Sequence, residues 1–170
     1  MIDEATKLLI DRVTAYMAGS GEIGDFVRSV PKINSEDMRP WVMSFTGAFG
    51  AALQTQPQNQ KTLTDFYFAV TNILGSVQDP GTVPADISLL SFNIQEENKR
   101  RNMFSNNVNM AMFVGPSGPT DGLKYRVPYV IGDNVTLICT FTQAAGWAGA
   151  NRIVEVDLVG IAIKKALLKL

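Results

Sequence analysis

From Val135 to Thr142 the side chains alternate, with Val135, Leu137, Cys139 and Phe141 on one side of an extended chain and Thr136, Ile138, Thr140 and Thr142 on the other. A period of two in β-branched and aromatic residues describes a strand with one face in a core and the other mainly hydroxylated. The same texture recurs from Lys61 onward in short runs broken by turn formers. The candidate strands are 65–77, 87–95, 107–114, 123–131, 135–143 and 152–164. Gln78-Asp79-Pro80-Gly81 and Gly115-Pro116-Ser117-Gly118-Pro119 lie between them as turns, because proline sets φ and glycine admits positive φ. The expected architecture is therefore mainly β, an antiparallel sandwich over residues 61–170.

The run 152–164 departs from simple alternation. Val154, Val156 and Leu158 line one side; the other begins with Glu155 and Asp157 and continues as Val159, Ile161 and Ile163. A strand that becomes apolar on both faces passes beneath a cover, either an amino-terminal helix or another subunit, so Val159, Ile161 and Ile163 are candidate interaction residues. Gly160 and Ala162 leave room for close approach. The runs 135–143 and 152–164 read as a hairpin around a small-residue loop with Trp147 at its tip. Such a loop offers little to bury an indole, so Trp147 either folds back onto its own sandwich or is a candidate anchor in another chain or a stacking platform for a sugar.

The amino-terminal third has a different texture. Ala5, Leu9, Val13 and Tyr16, with Leu8 and Met17 beside them, recur at helical spacing over residues 3–17, led by Asp3 and Glu4 and followed by Gly19 and Gly21. Pro31 and Pro40 then interrupt the pattern; Trp41 to Phe45 reads as a short strand or a helical start, and the polar stretch from Gln54 to Gln60 as a linker or surface loop. Residues 1–60 are thus expected to form a helical and irregular arm, and deletion of 1–60 is expected to leave a β-rich domain with impaired association.

Composition narrows the chemistry. The chain has no histidine, which removes Ser-His-Asp, Cys-His and HExxH catalysis, and Cys139 is its one cysteine, which removes intrachain disulfides and zinc-thiolate clusters. Cys139 sits in a strand-like run, as a small buried hydrophobe does. Net charge is −1, so no general positive field draws a nucleic-acid backbone. Charged residues make up 18% of the chain against roughly 25% in ordinary domains, which leaves surface for partners. Gly19-Ser20-Gly21-Glu22-Ile23-Gly24 fits GxGxxG but follows a helical segment instead of a strand, so it reads as a helix-ending loop. Glu155 and Asp157 share a strand face and read as its solvated side; a cation there would need further ligands such as Asp121 or Asp133. Lys99, Arg100 and Arg101 form the one dense basic triplet, which reads as a solvated loop between strands or, functionally, as an ion-pair contact with a neighbouring subunit or with nucleic-acid phosphates, the phosphate role being weakened by Glu96 and Glu97. The amino terminus carries no signal-peptide pattern and no run reaches a membrane span. No enzyme, cofactor or metal site is expected.

A helical amino-terminal segment, a β-sandwich, many Asn, Gln and Thr residues and no histidine together resemble small virion proteins of bacterial viruses built on a single jelly roll. Arg126-Val127-Pro128-Tyr129-Val130-Ile131-Gly132, then Val135-Thr136-Leu137 and Val156-Asp157-Leu158-Val159-Gly160, look like the end of such a domain. The resemblance implies a capsid, decoration or head-associated subunit, located in the virion, whose partners are copies of itself and other virion proteins. The alternative is a cytoplasmic β-sandwich module that binds carbohydrate or peptide through Trp147 and Trp41.

Overall fold

The computed structural model describes residues 38–50, 55–78, 86–115, 118–119, 122–144 and 152–165. The amino-terminal helix expected over 3–17, the glycine-rich segment 19–24, Asp121 and Trp147 lie outside the described residues.

The strands are β1 (Met38–Phe49), β2 (Thr55–Lys61), β3 (Phe66–Gln78), β4 (Leu90–Glu96), β5 (Arg101–Asn102), β6 (Val108–Asn109), β7 (Val114–Gly115), β8 (Gly118–Pro119), β9 (Leu123–Ile131), β10 (Thr136–Gln143) and β11 (Arg152–Lys164). One sheet has the order β1-β11-β3-β9; the other has β2-β10-β4-β5, with β6 also on β4; β7 and β8 form a small ribbon. All pairings are antiparallel. Among the long strands, β1 pairs with β11, β2 with β10 and β3 with β9, so the two ends of the chain run side by side as a nested ribbon. The ribbon then rolls until β11 meets β3 and β10 meets β4. That is the strand order of a jelly roll, the fold that the resemblance to virion proteins implies.

The nested order corrects the hairpin reading of the chain's end. β10 and β11 follow one another but lie in different sheets, with Thr142 beside Thr55 and Ser91 and Arg152 beside Phe49. Residues 38–49 and 55–60 also differ from expectation. They are strands of both sheets, so the sandwich extends back at least to Met38, and deletion of 1–60 removes β1 and nearly all of β2. The polar stretch expected as a linker is β2, a sheet edge that pairs with β10 on one side and is largely exposed. The run expected as a strand over 107–114 is broken. Asn109 caps a 3-10 turn at Met110–Met112, its carboxamide oxygen accepting from Ala111 N at 2.8 Å while its amide donates to Ser88 O at 2.6 Å. Asp86 likewise starts a 3-10 turn at Ile87–Leu89 and delays β4 to Leu90.

The core lies between the two sheets. Leu137, Cys139 and Phe141 of β10, Leu90, Phe92 and Ile94 of β4, and Val154, Val156 and Leu158 of β11 all point into it, as alternation demands. Phe92 is central: its ring centroid lies 5.4 Å from Phe113, 5.8 Å from Phe104 and 6.3 Å from Phe141. Thr71 is an extra residue in β3, since Val159 stands opposite Asn72 and Gly160 opposite Val70. The bulge changes which side chains of β3 face inward, from Phe68 and Val70 to Ile73. The Thr71 hydroxyl donates to Val159 O at 3.2 Å. Gly160 makes the close approach that its sequence context predicts, for a Cβ there would lie 2.1 Å from Ala69 O.

Candidate functional site

The basic triplet is built around an inward-facing carboxylate. Glu96 ends β4 on the same face as Leu90, Phe92 and Ile94, stands opposite Leu137 and is fully buried. A lone buried carboxylate is costly, so the chain surrounds it with donors. A left-handed residue, Arg100 at φ 49°, turns the backbone after Lys99 and brings Arg101 back beside Glu96 in β5. The Arg101 guanidinium pairs with Glu96, its Nε donating to Oε1 at 2.9 Å, and also donates to Val130 O at 3.3 Å. Tyr129 of β9 donates its hydroxyl to the same Oε1 at 2.9 Å, and Lys99 Nζ lies 3.6 Å from Oε2. The guanidinium carbon sits 4.7 Å from the Tyr129 ring centroid. Because Tyr129 belongs to one sheet and Glu96 to the other, this group ties the two sheets together. Lys99 and Arg101 therefore meet a partner within their own chain, although both, like Arg100, are exposed.

The ionisation of this end of the sandwich follows from its burial. Burial first, then the hydrogen bond to Glu96, pushes the Tyr129 phenol above its ordinary value, and burial pushes Tyr125 up to about 12. In the unfolded chain both phenols ionise near pH 10, while in the folded chain they stay protonated, so above that pH the folded state holds more protons. The stability they contribute is intact below about pH 10 and is lost as pH rises through the folded-state values. The urea midpoint is expected to hold steady to about pH 9 and to fall steeply above about pH 10. Tyr129→Phe should remove part of that fall, and an equally steep fall in the variant would overturn the assignment. Burial also raises the Cys139 thiol, which leaves it protonated and unreactive at neutral pH, as expected of a core residue.

The candidates carried by β11 lie on the outer face of the β1-β11-β3-β9 sheet. Glu155 and Asp157 stand there half-buried, and Ser44 donates its hydroxyl to Asp157 at 2.5 Å. Among the described residues no group of three or more potential metal ligands forms around them. Farther along β11, Val159 is half-buried, and Ile161 and Ile163 are each 3% exposed although both stand apart from the main core. Trp41 packs partly buried against the core, with the Arg39 guanidinium 5.2 Å from its ring centroid.

The feature that sequence reasoning missed is the edge at β1. Among the described residues β1 has a neighbour only in β11, and its side chains Val42, Thr46 and Ala48 are exposed. Near its carboxy-terminal end the edge is closed by Gln56 of β2, whose side-chain oxygen accepts from Ala48 N at 3.1 Å and whose amide donates to Ala48 O at 2.5 Å. The alternation of Met43 and Phe45 inward with Val42, Ser44 and Thr46 outward was the available signal. Pro40 masked it, although an edge strand tolerates proline where the missing N–H would face away from the sheet.

No family model matches the chain, and no curated protein sequence matches it. Among solved structures it is similar to VP2 of infectious bursal disease virus in its subviral particle, with 11% identity, a TM-score of 0.36, and coverage of 81% of this chain and 37% of that one. It is also similar to the structure of the Gx strain of that virus, at 11% identity and TM-score 0.30, covering 80% of this chain and 41% of that one. For the Gt strain the values are 11%, 0.27, 79% and 36%. The chain thus spans well under half the length of these viral proteins.

Proposed function

We propose that this chain is a structural subunit of a virus particle, a capsid or capsid-associated decoration or head protein that acts by self-association and contact with other virion proteins and performs no catalysis. The observation that supports this most directly is the edge of β1, which among the described residues has β11 as its one neighbouring strand. Monomeric sandwiches blunt their edges with lysine, proline, bulges or covering loops, since an exposed strand edge templates pairing with another chain. Here Val42-Met43-Ser44-Phe45-Thr46 carries no charge, and Val42 is 52% exposed. The ionisable groups gathered at Glu96 bind one another across the two sheets and so help to hold the sandwich shut.

Light scattering on the purified full-length chain tests the reading. The expected result is a discrete oligomer or particle of several chains at micromolar concentration. A monomer that persists at the highest soluble concentration would rule out an assembly subunit.

A further inference from the structure

We infer that two copies of this chain pair edge to edge through β1, antiparallel, about a two-fold axis at Ser44; this rests on the assembly reading above and specifies its contact. In an antiparallel ladder each residue directs its own N–H and C=O to one side, and successive residues alternate. Ala48 turns both groups away from β11, because both are bound to the Gln56 side chain. Thr46, Ser44 and Val42 share its parity along β1 and so direct their backbone groups out of the sheet edge. Pro40, next in that series, has no N–H to offer. The edge is thus stopped at both ends, by a proline and by an internal carboxamide.

These stops make the open segment self-complementary in a single register. With Ser44 opposite Ser44 of a second copy, Val42 faces Thr46 and Thr46 faces Val42, each pair able to exchange both backbone hydrogen bonds. The next pair outward sets Pro40 against Ala48, so the residue without a donor meets the one whose groups are already bound. A shift of the sum of paired numbers by two in either direction wastes this match: it sets Pro40 against Thr46, or Val42 against the occupied Ala48. An isologous contact of this kind requires the same segment on both partners, which one uncharged strand supplies. On the outer face Val42 would meet Thr46, a favourable β-branched pair, and no like charges would be opposed. Met43 and Phe45, 4% and 1% exposed, stay in their own cores.

The test compares full-length Ser44→Pro, Ser44→Ala and Thr46→Lys with the wild-type chain by sedimentation velocity over a concentration series. Ser44→Pro removes an outward N–H without touching the ladder to β11, and Thr46→Lys sets a charged lysine against the apolar Val42 of the other copy at each end of the contact. Each is expected to weaken self-association at least about tenfold. Ser44→Ala, which loses the Asp157 hydrogen bond but keeps the backbone donor, should associate as the wild type does. If Ser44→Pro fails to fold, the exposed Thr46→Lys decides. Wild-type assemblies that survive both changes overturn the β1 contact and leave the assembly reading standing, whereas a monomeric wild-type chain overturns both. Unchanged size with a melting temperature lower in Ser44→Pro than in Ser44→Ala would assign the edge to a segment of the same chain and also refute the contact.

Discussion

Replacing Phe92 by alanine is expected to cost the sandwich about 4 kcal/mol, the largest loss from any single truncation in its core. The ring is fully buried on β4 and packs against Phe104, Phe113 and Phe141, drawn from the β5–β6 connection, the turn before β7, and β10. No neighbour can collapse into the space without leaving its own place, because each ring is fixed by a separate backbone segment. The cost therefore includes a cavity as well as lost transfer energy. Urea denaturation should show a lower midpoint at unchanged slope, and the melting temperature should fall by about 10 °C. Phe104→Ala, at a half-buried position, should cost about half as much. A Phe92→Ala protein within about 1 kcal/mol of the wild type would mean that these rings do not form one packed unit.

Gly160→Ala is the second large effect, and it works through the backbone. The added methyl would sit 2.1 Å from Ala69 O and 2.9 Å from both Ala69 C and Val70 Cα, so no side chain can turn away to admit it. β11 and β3 would have to separate at the Thr71 bulge, where their register already shifts and where the inward set of β3 is decided. A destabilisation of at least about 3 kcal/mol is expected, with much of the expressed chain insoluble. Gly132→Ala is the control, since a Cβ there meets only a Val135 methyl at 3.5 Å. Equal stability of the two variants would show that the strands do not approach closely at Gly160.

The Glu96 group was half legible beforehand. Lys99 and Arg101 stand out as charge, and Glu96 continues the inward parity of Leu90, Phe92 and Ile94. Tyr129 was not legible as their partner, because it arrives from the opposite sheet, 33 residues away. β2 was hidden for another reason. An edge strand that pairs on one side and is largely exposed needs no apolar alternation, so Thr55 to Lys61 looks like a linker.

What the amino-acid order determined was the extent and facing of several long strands. β9 and β11 occupy the residues their patterns mark out, and the alternation of β10 decides which of its side chains are buried. Those properties are local: a period of two and a turn former at each end are enough to set them. Which strands become neighbours was decided only in three dimensions. Met38 pairs with Ile163, and β10 and β11 part into different sheets, because an alternating strand states which face seeks the core and says nothing about which backbone will lie beside it. The open edge of β1 belongs to the same class of property, since a strand becomes an edge only after every other strand has found its place.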